Sequence, residues 1–313
     1  MIGRDEAGFR SGSRSATRLR TSASVISLGG FACKCFAVAA LAGLALTRPA
    51  PASAEERVKF DSAAPRLHRA AEPLAGEGGP IARRGAGAAI QGYLTRPNGD
   101  GPFPAVVLLH SCLGLPADRR SIGDALAGWG FVALFVDDFA TRGLKETCAV
   151  DFREGLSDAF GALAFLSGRP FVDRRRIGVV GYSQGADTAL KVASSRFAAA
   201  FAAPDEPKFK VAAAFYPPCE NLGAAELAIP TLILVGELDD VTPAADCERL
   251  AKAQPGDGAD VKLVVYPGAY HLFDDPGFAG GKRLLGMRLQ YDRDAARESR
   301  VALHDFLATR LAP

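Results

Sequence analysis

From about Ile81 onward, short apolar runs alternate with longer stretches of helical periodicity. Ala105–Leu109, Phe131–Val136, Ile177–Val180, Val211–Phe215, Thr231–Val235 and Val261–Val265 are apolar at nearly every position. That pattern predicts strands buried on both faces, as in a parallel sheet. Ala88–Leu94 alternates more weakly and reads as an antiparallel edge strand. Helical patterns fill the intervals at Arg120–Gly128, Phe152–Leu166, Ala186–Ala193 and Ala245–Ala253, and Arg293–Leu311 closes the chain. With no internal repeat and no linker, residues 80–313 read as one α/β domain. Its central sheet is expected to be mostly parallel and covered by helices on both faces.

Upstream the pattern changes. Arg4, Arg10, Arg14, Arg18, Arg20 and Lys34 form a basic leader, followed by the apolar stretch Cys35–Thr47 and the small-x-small site Ala52-Ser53-Ala54. The apolar stretch is shorter than the ~20 residues of a bilayer span. Residues 1–54 therefore read as a Sec-type signal peptide, with an uncleaved N-terminal anchor as the alternative. This implies a periplasmic or secreted protein that leaves the membrane after cleavage. Residues 55–79 are rich in Ala, Pro, Gly and charge and are expected to form a flexible leader with no element of its own.

At 313 residues and 48% apolar content, the chain can bury one large core. A formal charge of +2, with no basic patch interleaved with aromatics, gives no nucleic-acid footprint. Of six cysteines, Cys33 and Cys35 fall within the signal, leaving Cys112, Cys148, Cys219 and Cys247. An even number in an oxidising compartment predicts disulfides. Cys112–Cys148 and Cys219–Cys247 are the expected pairs, because each joins consecutive loops on one edge of the sheet. The absence of a C-x-x-C pair argues against a zinc cluster, and no metal site is expected.

The candidate chemistry centres on Gly181-Tyr182-Ser183-Gln184-Gly185, which follows the apolar run Ile177–Val180 and precedes the helical pattern at Ala186. A G-x-S-x-G turn between strand and helix is a nucleophile elbow, which aims the serine hydroxyl out of the sheet. Gly236-Glu237-Leu238-Asp239-Asp240 follows a later strand, and Tyr266 to His271 follows the next, so acid and base come after the serine in hydrolase order. Asp239 is expected to be the triad acid, with Asp240 capping the turn Val241-Thr242-Pro243. His271 would take the Ser183 proton and later protonate the leaving group, and the carboxylate would hold its tautomer. The backbone N–H groups of Gln184 and Cys112 are the candidate oxyanion donors. Arg142, after Phe131–Val136, is a candidate for binding an anionic substrate group, with an ion pair to Asp137 or Asp138 as the alternative.

Taken in order, VVLLHSCLGL (Val106–Leu115), VDDFATRG (Val136–Gly143), DRRRIGVVGYSQG (Asp173–Gly185), LILVGELDDVTPA (Leu232–Ala244) and VVYPGAYHLFD (Val264–Asp274) resemble the dienelactone hydrolase family. The resemblance implies an α/β-hydrolase fold without a large cap, acting on small carboxylic esters or lactones without metal or organic cofactor. It places nucleophile, acid and base on Ser183, Asp239 and His271. One departure stands out: the namesake enzymes carry a cysteine nucleophile where this elbow has Ser183. A serine peptidase or deacetylase would use the same triad, and a non-catalytic binding protein would keep only the fold.

Overall fold

The computed structural model describes residues 54–65, 87–201, 205–223, 226–256 and 258–311. The expected signal peptide, apart from Ala54, lies outside them. In chain order the elements are β1 (Glu56–Asp61), β2 (Ala89–Thr95), β3 (Phe103–Leu109), α1 (Arg119–Gly128), β4 (Val132–Asp137), α2 (Gly155–Ser167), β5 (Val172–Tyr182) and α3 (Gln184–Ala193). There follow α4 (Ser195–Ala198), β6 (Val211–Phe215), β7 (Thr231–Gly236), α5 (Ala244–Ala253), β8 (Val261–Tyr266), β9 (Lys282–Leu284), β10 (Met287–Leu289) and α6 (Arg293–Arg310).

Eight strands form one sheet in the order β1-β2-β4-β3-β5-β6-β7-β8. From β4 to β8 all neighbours are parallel, while β2 runs antiparallel to both β1 and β4. Each strand expected to be doubly buried is present, but β8, at the far edge of the sheet, is only half-buried, because it has a neighbour on one side alone. The side-chain period of two sends alternate residues to opposite faces. Val107, Val179 and Ile233 enter the core formed with α2, α3 and α5, whereas Val106, Val180 and Leu232 enter the core formed with α1 and α6. In α6, Ala295, Ser299, Leu303 and Leu307 recur every fourth residue and are buried, so this helix contributes a narrow stripe.

Two expectations need correction. Within the supposed flexible leader, Glu56–Asp61 forms the edge strand β1, paired with β2 from Glu56↔Leu94 to Asp61↔Ala89. Its alternate residues Val58 and Phe60 are buried while Arg57, Lys59 and Asp61 face solvent, a period-two signal too short to stand out amid charge. Consequently β2 is not an edge strand. The C-terminal ends of the parallel strands make up one edge of the sheet, where ligands of open α/β sheets bind, and every candidate catalytic residue lies there.

Candidate active site

Ser183 lies between β5 and α3 with φ 53° and ψ −112°, a strained backbone for a residue bearing a side chain. Both flanking glycines are sterically required. A Cβ on Gly181 would lie 2.0 Å from Gly185 O, and one on Gly185 would lie 2.3 Å from Leu109 O. The Ser183 N–H donates to Phe215 O at 3.0 Å, fastening the elbow to β6.

His271 and Asp239 come from the loops after β8 and β7. His271 Nε2 stands 3.0 Å from Ser183 Oγ, and His271 Nδ1 stands 2.8 Å from Asp239 Oδ2. All three residues are buried. Asp239 Oδ1 accepts the N–H groups of Val241 (2.9 Å) and Thr242 (2.8 Å), and Oδ2 also accepts from Thr242 Oγ1 at 3.1 Å. Four donors thus orient one carboxylate, with one of them on the imidazole. The turn after β7 is therefore capped by Asp239, not by Asp240 as expected. Asp240 instead accepts the N–H of Arg288 in β10 at 2.9 Å.

Two further residues around the imidazole were not legible in the sequence. The Tyr216 ring packs 4.6 Å from that of His271, and its hydroxyl donates to Asp274 at 2.8 Å. Burial drives the Asp274 carboxyl up to about 7, with Asp275 and Asp118 adding to the rise and the Tyr216 hydrogen bond opposing it. Thr242 Oγ1, with one proton to donate, lies 3.1 Å from both Asp239 Oδ2 and Tyr216 O. A threonine three residues past an acid carries no distinctive sequence signal.

The candidate oxyanion donors lie on converging elements. Gln184 opens α3, so its N–H has no partner within the helix. Cys112 sits in the tight turn after β3, where the N–H groups of Leu113 and Gly114 are both directed to Ser111. Buried Thr147 joins the two elements: its N–H donates to Cys112 O at 2.8 Å, and its hydroxyl donates to Gln184 Oε1 at 2.8 Å. Beside it the Cys112–Cys148 disulfide closes the loop, and Cys219–Cys247 forms the second bridge. Both pairings match the sequence expectation.

Arg142 is held in an ion pair, though not with either of the acids expected. Its guanidinium pairs with both oxygens of Asp158 (2.8 and 3.0 Å) and donates to Asp138 O. Asp158 also accepts from Ser62, and burial lifts its carboxyl to about 6 against the pull of Arg142. The partner is an acid in α2, neither Asp137 nor Asp138. His110 is likewise structural, with Nε2 2.7 Å from Asp138 and Nδ1 2.8 Å from Ser111 O. Burial lowers its pKa, but the Asp138 hydrogen bond and charge outweigh that and hold it above the ordinary value.

Ser183 and His271 open into a cavity walled by the Cys112–Cys148 bridge, Leu113, Val241 and the β9–β10 hairpin. A larger cleft between α1 and α6 contains neither of them.

The doubly covered sheet, the elbow and the Ser-His-Asp arrangement at its C-terminal edge define an α/β-hydrolase fold. The profile of the dienelactone hydrolase family matches residues 90–311; the chain belongs to that family. A Methylorubrum extorquens protein that carries a provisional carboxymethylenebutenolidase name is 28% identical over 234 residues, covering 64% of this chain and 77% of its own. Cutinase 1 of Thermobifida cellulosilytica is 26% identical over 154 residues, covering 49% of this chain and 55% of its own. In fold, the chain is similar to a thermophilic esterase of Thermogutta terrifontis, with a TM-score of 0.53 at 20% identity over 72% of this chain and 91% of that one.

Proposed function

We propose that this protein is an exported serine hydrolase that cleaves carboxylic esters or lactones through an acyl-enzyme on Ser183. The observation that carries the reading is the hydrogen-bonded series Ser183 Oγ, His271 Nε2, His271 Nδ1 and Asp239 Oδ2, at 3.0 and 2.8 Å. Ser183 Oγ attacks the carbonyl carbon as its proton passes to His271 Nε2, and Asp239 stabilises the imidazolium. The negative charge that develops on the carbonyl oxygen is met by the N–H groups of Gln184 and Cys112. Collapse expels the alkoxide, which takes the proton from His271. A water molecule, deprotonated by the same imidazole, then hydrolyses the acyl-serine. The relatives named cutinase and esterase support the ester class, and the two disulfides support an oxidising destination.

The test is p-nitrophenyl butyrate hydrolysis, together with labelling by a fluorophosphonate probe. Ser183→Ala should abolish labelling and lower kcat by about 10⁴–10⁶-fold. A mutant that keeps most of its activity would refute the mechanism.

A further inference from the structure

The β9–β10 hairpin turns through Leu285 and Gly286, with φ of 51° and 86°, and Leu284 pairs with Met287 across it. Two successive positive φ values follow the pattern of a type I′ turn, whose first position favours Asn, Asp or Gly. A leucine there is sterically strained, and at 73% exposure it recovers little by burial. Two local effects oppose this residue. Strained positions of this kind gather at ligand sites, and this one lines the cavity that holds Ser183.

The rest of that cavity has the same character. Leu113, Val241, Leu284 and Met287 join Leu285 around it, and no Lys or Arg is among its described lining residues. The arginine expected to greet an anion is bound to Asp158. Of the six exposed large apolar side chains among the described residues, Leu113, Leu144, Val150, Leu238 and Leu285 stand on loops at the Ser183 edge of the sheet. Only Val301, on α6, lies elsewhere. The hairpin is also tied to the catalytic loops. Arg288 N–H bonds Asp240, Gln290 N–H bonds His271 O at 3.0 Å, and the Arg288 guanidinium lies over the Tyr270 ring.

We infer that this cavity binds the neutral aliphatic chain of an ester, with the hairpin tip as its outer wall. The preferred substrates then carry medium or long alkyl groups in place of the charge of a dienelactone. This inference rests on the ester-hydrolase reading and narrows its substrate class. An apolar rim around the mouth receives the part of the chain that outgrows the cavity.

Two substrate series test it: p-nitrophenyl acylates from acetate to decanoate, and n-alkyl acetates. In at least one series kcat/KM should rise by about fourfold per added methylene until the cavity is filled. A p-nitrophenyl hemisuccinate should fall well below the neutral butyrate. Leu285→Asn supplies a residue the turn prefers, so its melting temperature should not fall, yet its decanoate-to-acetate ratio should drop about tenfold. Flat or falling profiles in both series, preference for the anionic half-ester, or an unchanged ratio in Leu285→Asn would overturn the inference and leave the hydrolase reading intact. No turnover of any ester, with no probe labelling of Ser183, would instead overturn the hydrolase reading itself.

Discussion

Replacing Asp239 by Asn probes the geometry of the site at a single atom. Asp239 Oδ1 is pinned by the N–H groups of Val241 and Thr242 at 2.9 and 2.8 Å. An amide nitrogen cannot accept those donors, so the Asn oxygen must take that place and its NH₂ must face His271 Nδ1, where Oδ2 stood. The imidazole must then accept at Nδ1 and carry its proton on Nε2, the nitrogen 3.0 Å from Ser183 Oγ. A protonated Nε2 cannot take the serine proton. The expected loss is about 10⁴-fold in kcat, roughly 5.5 kcal/mol of barrier, in a protein of nearly unchanged shape. Initial rates of p-nitrophenyl butyrate hydrolysis near pH 8, with melting curves of both proteins, measure it. If Asp239→Asn keeps kcat within tenfold of wild type while folding normally, Asp239 does not orient the base. Asp240→Asn is the control and should leave the tautomer unaffected.

Further outcomes follow from other contacts. Gly185→Ala drives a methyl group into the Leu109 and His110 carbonyls, at 2.3 and 2.6 Å, and should cost soluble yield or nearly all activity; a stable, active variant would contradict the elbow geometry. Arg142→Ala leaves the buried Asp158 carboxylate unpaired, so stability should fall by about 3–5 kcal/mol, while the KM ratio of anionic to neutral esters stays unchanged. Reduction should lower the melting temperature, since the bridges close sequence separations of 36 and 28 residues, each worth about 3–4 kcal/mol in the chain-entropy picture; mass spectrometry finding four free thiols in native protein would count against both pairs. The Asp274 carboxyl rises from 3.8 to about 7 on folding, so the native state binds more protons than the unfolded chain between those values. Its favourable contribution is complete only below pH 3.8 and is lost as pH rises from there through about 7. Asp274→Asn keeps an acceptor for Tyr216, so its stability should match wild type near pH 4 and exceed it by about 2 kcal/mol at pH 8, a ~4 kcal/mol shift halved because the group is partly solvated. Denaturant titrations at the two pH values would expose a missing or reversed trend.

Much of this molecule was written in local pattern. Continuous apolar runs identify the parallel strands because burial on both faces removes the polar alternation. The elbow is equally local, since one pentapeptide carries both the strained serine and the glycines that make room for it. Chain order then supplies Asp239 and His271, because loops after successive parallel strands return to one edge of the sheet. The cysteine pairs are legible for the same reason.

Tertiary structure decided what depends on distant partners. The acid that Arg142 meets was decided by α2, which brings Asp158 to it. Glu56–Asp61 became a strand only because β2 offered an unpaired edge. Tyr216, Thr147 and Thr242 gain their roles from neighbours 26 to 58 residues away in sequence. The wall of the serine's cavity comes from a six-residue pairing of Lys282–Leu284 with Met287–Leu289, held by Asp240 and His271. By itself the sequence determined the chemistry available at the sheet edge, because that chemistry is encoded in contiguous turns. Only the folded chain decided which charges are spent inside and which surface remains to meet a substrate, because ion pairing and burial are properties of residues far apart in the chain.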